Sequence, residues 1–287
     1  MKKDKKIILL SFATEDLKKT IKRLTVQATE SGYYDEINIL NPKNINSSNK
    51  NKLDKLISMG KKRGYAYWYW KPLLILQTLE NINNGDIIHY LDAGFHIYNN
   101  RSKKFYEYID LISDPDKWLL AFQYKSIHIN NSQDIIFPKR EEHMYTKGDI
   151  FSYFKCSDKK EFTHTPQFSA GSFFLKKSDK SYFFLKKWVE VFEKRFDLID
   201  DTISKIPNFE TFIENRHDQS IFSILCKINC VEALSAYEFD WAKKNNKRTW
   251  EHNLHNPFLA KRDLQYNIFR RFFNRQKKNY NRLLAKL

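Results

Sequence analysis

Four short stretches hold side chains whose types and spacing suit the handling of a charged, hydroxyl-rich ligand. In "GDIIHYLDAG" (85–94), an apolar run ends abruptly at Asp92. A carboxylate at the end of a buried strand costs free energy unless a cation meets it. Asp92 is thus either a cap for the following loop or an acid that serves a bound cation or nucleotide. "HDQSIF" (217–222) places Asp218 and Gln219 where a helix begins. An acid there can cap the helix, or the pair can hold a sugar, because each hydroxyl offers both a donor and an acceptor. "KKRGYAYWYWKP" (61–72) packs aromatics, Trp70 among them, between Arg63 and Lys71. It suits either a core cluster or a base- and sugar-stacking wall flanked by phosphate-binding cations. "HNLHNPFLAKR" (252–262) offers His252 and His255 as metal ligands or phosphate donors, and Lys261 and Arg262 as partners of a diphosphate or as solvated cations.

The elements that must position these residues follow from periodicity. The segment 5–14 reads as a strand ending in a small, polar loop that contains Phe12, Ala13 and Thr14. Residues 15–32 carry Leu17, Ile21, Leu24 and Ala28 at helical spacing and stop at Gly32. "YDEINILN" supplies a second strand; 42–52 reads as a polar loop, followed by a short helix to about Lys61. A helix runs from Trp70 to its stop at Gly85, with Pro72 in its first turn. The strand leading to Asp92 comes next. Strand, helix, strand, helix, strand predicts a parallel sheet with helices on its faces, and ligands then bind beyond the carboxyl ends of the strands. Further on, "KWLLAFQY" and "QFSAGSFFLKK" read as strands, and 181–196 and 217–230 as helices. No linker divides the chain into two domains. The expected architecture is one mixed α/β domain over 1–262 and a separate tail over 263–287.

Composition bounds the rest. The chain has 287 residues, of which 41% are hydrophobic and 16% aromatic, so a packed core is expected and global disorder is not. No apolar stretch approaches the ~20 residues of a membrane span. The lysine-rich, apolar opening imitates a secretory signal, but the run is short and Glu15 and Asp16 stand where small cleavage-site residues belong. Three cysteines without framework spacing fit a reducing, cytoplasmic setting. Only seven glycines occur, and no glycine-rich phosphate loop or zinc spacing is present. A nucleotide would therefore be held by side chains, strand-end amides and a metal. The net charge of +16 calls for an anionic partner. Residues 261–287 hold nine Lys/Arg against one acid, hence +8, which is half of that excess.

In order and spacing these stretches resemble bacterial GT-A-fold glycosyltransferases of capsule and lipopolysaccharide synthesis, related to family eight. The match runs through "IILLSFAT", "YWYWKPLLILQTLE", "IIHYLDAG", "QFSAGSFFLKKS" and "HDQSIF", over most of residues 5–225. The resemblance implies a single Rossmann-like mixed sheet flanked by helices. It also implies transfer of a hexose-type sugar from a nucleotide-diphosphate donor, UDP-linked by preference, to a glycan hydroxyl.

In that family the strand reads YLDAD, and its two acids bind Mn²⁺ and the donor diphosphate. Asp92 takes the first acid's place, while Gly94 replaces the second, which puts dependence on Mn²⁺ or Mg²⁺ in question. The resemblance assigns the strand-end loop and Arg63, Trp70, Lys71, Asp92, Ala93, Gly94 and Lys261 to the donor. Asp218 and Gln219 fall to catalysis, Ser169, Ala170 and Gly171 to the acceptor side, and Asp92 with His255 to the metal. The acceptor in such systems is commonly lipid-linked. In the tail, Leu264, Ile268, Phe272, Leu283 and Leu287 fall near one helical stripe among many cations. That pattern suits either a helix at an anionic membrane surface on the cytoplasmic side or one packed on the domain. Two other classes stand beside this reading: a basic nucleic-acid-binding protein, suggested by the charge and the aromatics, and an inactive sugar-nucleotide scaffold, suggested by Gly94.

Overall fold

The computed structural model describes residues 5–127, 134–262 and Gln276. Six strands form the main sheet: β1 (Ile7–Phe12), β2 (Glu36–Leu40), β3 (Ile87–Leu91), β4 (Leu119–Gln123), β5 (Phe168–Lys176) and β6 (Ala233–Ser235). Their order is β2-β1-β3-β5-β4-β6. β1 lies parallel to both β2 and β3, whereas β5 runs antiparallel between β3 and β4. The sheet is therefore mixed.

Alternation along the strands divides the core into two layers. Leu10, Phe12, Ile88, Tyr90, Phe173 and Leu175 face helices α3 (Trp70–Glu80), α5 (Asp179–Lys194) and α6 (Asp218–Ile228). Ile7, Leu9, Ile87, Leu91 and Phe174 face α1 (Lys18–Ser31) and α4 (Ser102–Ser113). Burying each such aromatic or aliphatic side chain contributes roughly 1.5–3 kcal/mol. Strands covered on both faces are mostly apolar, which is why β1 and β3 read as hydrophobic runs broken only by Ser11 and His89.

Two local expectations are corrected. The polar run at 42–52 is not all loop: α2 spans Ser47–Ser58, and the Asn46 side chain accepts from the Asn49 N–H at 2.8 Å. Asn and Ser suit caps as well as loops, and Leu53 supplies the buried anchor. The helix expected to reach Gly85 ends at Glu80, and the chain turns over 81–86, where the Asp86 N–H donates to the Asn83 carbonyl. Among the described residues no helix is long and apolar enough to cross a membrane. The tail 263–287, apart from Gln276, lies outside the described residues.

One polar side chain sits in the middle of β3. The His89 ring is fully buried and stacks on Phe174 at 4.0 Å between ring centroids. Its nitrogens lie 2.9 Å from the Tyr34 hydroxyl and 3.1 Å from the Ser172 hydroxyl. Burial pushes its pKa down to about 3, and burial likewise pushes His217 down to about 4. Both rings are neutral in the fold but charge near pH 6.5 when the chain unfolds, so the unfolded state binds more protons below that pH. Stability is therefore lost as pH falls from about 6.5 toward 4, by up to about 1.4 kcal/mol per pH unit for each histidine. Urea titrations at a series of pH values are expected to show this slope, and His89→Gln should reduce it.

Candidate functional site

The strand-end edge is built around a buried lysine. Lys71 follows Trp70 at the start of α3 and is 3% exposed. Its Nζ lies 2.6 Å from Asp218 Oδ2, 3.5 Å from Asp92 Oδ1, and donates to the Ala170 carbonyl at 3.1 Å. One cation thus joins α3, the end of β3, β5 and the start of α6. Burial opposes its charge, but Asp218 and Asp92 outweigh that and hold its pKa above the usual lysine value. The Asp218 carboxyl is displaced upward, foremost because it is buried, against the pull of Lys71. Asp218 is the first residue of α6, where the helix dipole favours a negative charge.

Asp92 is the open member of this set, its side chain one-third exposed. Its N–H donates to the Gly171 carbonyl at 2.8 Å, and Tyr90 donates its hydroxyl to Oδ1 at 2.7 Å. Gly171 is a close-approach position: a Cβ there would meet Asp92 Oδ2 at 3.3 Å. Leu91 pairs with Ser172, which brings Ser169, Ala170 and Gly171 to the same edge. Leu10 pairs with Tyr90, so Phe12, two residues on, stands level with Asp92.

Gln219 is fixed at both ends. Its Oε1 accepts from the Ala170 N–H at 3.4 Å, and its Nε2 donates to Gln167 Oε1 at 2.6 Å. Gln167 in turn donates to Glu142 at 3.1 Å, and Glu142, fully buried, pairs with Lys227 at 3.1 Å. Gln167 and Tyr90 lie inside the quoted stretches, where the sequence alone assigns them no role. Only their polarity inside apolar strand runs could have signalled them.

The aromatic stretch does something other than line a wall. Gly64, Tyr65, Ala66, Tyr67 and Trp68 all have φ between 51° and 62°, one left-handed turn. At Gly64 a Cβ would lie 2.7 Å from the Trp68 indole, so only glycine fits. Trp70 donates its indole N–H to the Gly64 carbonyl and packs on Phe12 at 4.2 Å, both side chains buried. The Trp70 face is thus spent on Phe12, as in the core-cluster alternative for this stretch, and is not free to stack on a base. Arg63 is turned to Asp201 at 2.5 Å, and Tyr67 donates to the same acid. Trp68 stacks on His217, whose φ is also positive at 54°. Ala13 and Thr14 stay at the edge, where the Ala13 N–H donates to the Leu40 carbonyl.

The histidine loop returns beside the edge through Phe258–Leu259, which pair antiparallel with His96–Ile97. His255 is exposed, and Lys261 lies over the Trp250 ring at 5.8 Å. Arg262 reaches further: a Cβ on Gly94 would lie 3.1 Å from its Cγ. From the other side Arg23 donates to the carbonyls of Ala93 at 3.1 Å and Phe95 at 2.6 Å.

These residues do not fit a divalent ion of the expected kind. Mg²⁺ or Mn²⁺ calls for several oxygen ligands. Here the Asp92 Oδ1 and the carbonyls of Asp92, Ala93 and Phe95 already accept hydrogen bonds. Among the described residues no group of three or more His, Cys, Asp or Glu side chains could hold a metal.

No family model matches the chain, and no curated protein matches it. Solved structures with a similar fold include mouse xyloside xylosyltransferase 1, at 11% identity, covering 82% of this chain and 86% of that one, TM-score 0.45. Another is a glycosyltransferase involved in glycosylating the major capsid of PBCV-1, at 12% identity, 93% and 98% coverage, TM-score 0.40. A third is the galactosyltransferase LgtC in complex with donor and acceptor sugar analogues, at 13% identity, 82% and 75% coverage, TM-score 0.41.

If the Lys71–Asp218 pair organises the site, Lys71→Met strands a buried carboxylate and should cost about 3–5 kcal/mol in urea unfolding. The double change Lys71→Met, Asp218→Asn should recover a large part of that loss. Purely additive losses would show that the pair does not act as a unit.

Proposed function

We propose that this protein is a glycosyltransferase that moves a hexose-type sugar from a nucleotide-diphosphate donor to a glycan hydroxyl. The observation that supports this most is Lys71 held between Asp92 and Asp218, beside a Gln219 whose carboxamide has only one N–H left to offer. Asp92 faces outward at the strand ends, where α/β sheets bind ligands, and Asp218 stands behind it.

In this reading the donor's diphosphate lies over the 92–94 turn and its sugar toward Asp218 and Gln219. As the glycosidic bond to phosphate breaks, positive charge grows on the sugar ring and negative charge on the leaving diphosphate. The Asp92 and Asp218 carboxylates on either side of Lys71 favour the ring's positive charge. The fixed dipoles of Gln219 and the Ala170 amide need no reorganisation at that moment. Ser169 and Gly171 flank the same edge on the side left for the acceptor. The donor in this reading is a UDP-sugar and the acceptor a bacterial surface glycan on a lipid carrier. No step of it requires Mn²⁺ or Mg²⁺.

Asp92→Asn is expected to lower transfer by about 100-fold or more while the chain stays folded with only a small loss in melting temperature, since Asp218 at 2.6 Å still meets Lys71. A thermal-shift panel of sugar nucleotides identifies the donor to assay, and activity within a few-fold of wild type removes Asp92 from the mechanism.

We propose further that the tail 263–287 docks the enzyme on anionic lipid at the cytoplasmic face of the membrane. Each Lys or Arg held at such a surface contributes about 1 kcal/mol, weakened by salt. Sedimentation with anionic and neutral liposomes tests this: the full chain should pellet with the anionic ones alone. Deleting 263–287 should abolish that binding and spare transfer to a soluble acceptor; an unfolded truncation would instead make the tail part of the domain.

A further inference from the structure

The turn that follows β3 is lined by fixed cations in place of metal ligands. Arg23 approaches it from α1 and occupies the carbonyls of Ala93 and Phe95. Lys71 occupies Asp92 Oδ1 from α3, together with the Tyr90 hydroxyl. Arg262 is exposed, with its stem against Gly94: a Cβ on Gly94 would lie 3.1 Å from its Cγ and 3.7 Å from its Nε. Among the described residues no carboxylate pairs with Arg262.

Arg262 is carried there by the return of the chain along His96–Ile97. Leu259 pairs with His96, and Arg262 lies three residues beyond Leu259 while Gly94 lies two before His96. The antiparallel register therefore brings them together, and the absence of a side chain on Gly94 leaves the guanidinium stem room to lie down.

Among the described residues Arg23, Lys71 and Arg262 stand against the carboxylates Asp92 and Asp218, and Lys71 is already met by both acids, so a divalent cation finds few free oxygens at this turn while Arg262 stays open to an anion. A guanidinium offers it two parallel N–H donors in fixed geometry, suited to phosphate oxygens.

Resting on the glycosyltransferase reading, we infer that Arg262, seated over Gly94, binds the donor's diphosphate directly, with no divalent ion between that diphosphate and Asp92. Arg262 then neutralises charge on the departing nucleoside diphosphate as its bond to the sugar breaks.

Isothermal titration of the full chain with UDP, GDP, ADP and TDP, first in EDTA and then with Mn²⁺, tests this apart from turnover. At least one nucleotide should bind in EDTA, with its Kd changed by less than about twofold on adding Mn²⁺. Arg262→Gln should weaken that binding by about 10- to 100-fold, the scale of a lost charge-assisted pair. Its melting temperature should not move, because the side chain is exposed. Arg262→Lys, which keeps the charge but loses the fork, should fall between the two. Binding that needs Mn²⁺, or an Arg262→Gln protein that binds as tightly as wild type, overturns the inference and leaves the glycosyltransferase reading standing. Failure of all four nucleotides to bind in either condition overturns both.

Discussion

A lysine with 3% exposure has to be met by negative charge, and this requirement governs the site. Lys71 satisfies it with Asp218, Asp92 and the Ala170 carbonyl, so residues separated by up to 147 positions in sequence are drawn to one ammonium group. A buried pair of this kind is weak evidence of stability, because desolvation consumes most of the attraction. What it supplies here is position. Removing Lys71 leaves Asp218 buried and uncompensated, so α3, β3, β5 and α6 are tied to a single relative arrangement at the edge where a ligand would enter.

The backbone on either side of that pair is strained. Five consecutive left-handed residues end three positions before Lys71, and a left-handed histidine immediately precedes Asp218. Each non-glycine residue in such a conformation costs roughly 1–2 kcal/mol. The two strained segments brace each other: Trp68 stacks on His217 at 5.3 Å with 22° between planes, and Tyr67 meets the same ring edge-on. The His217 ring also bonds to the Ile199 carbonyl at 2.6 Å, while Arg63 and Tyr67 are tied to Asp201. The aromatic density of "GYAYWYW" is thus accounted for by the work of holding Lys71 and Asp218 where they face each other.

Most of the frame was legible because buried strands and amphipathic helices leave periodic signatures. The runs ending at Phe12 and Leu91, the helix carrying Leu24 and Ala28, and the helix opening at Asp218 all read directly. Asp92 was legible as an acid where a carboxylate is costly, and Asp218 as an acid opening a helix. Their joint dependence on Lys71 was not, since nothing in local spacing reports a contact between residues so far apart. The left-handed turn was invisible for a related reason. Tyr, Ala and Trp have no intrinsic preference for positive φ, and the contacts with His217 and Asp201 that impose it are tertiary. Residues 47–52 were misread because Asn and Ser favour both loops and the first turn of a helix.

The scarcity of glycine, which argued against a phosphate loop, marks the site in another way. Of the seven glycines in the chain, three are placed around it by a demand on space. Gly64 admits the Trp68 indole, Gly171 leaves room for the Asp92 carboxylate, and Gly94 leaves room for the Arg262 stem. In a phosphate loop, glycine bares backbone amides so that the main chain itself can hold the anion. Here it clears space for side chains, so the charges at this edge are carried by Lys71, Asp92, Asp218 and Arg262. Side chains can be exchanged one at a time without rebuilding a loop. A glycine at position 94 therefore permits a cation from a distant segment to stand beside Asp92, and the chemistry open to that turn depends on which side chain fills the space.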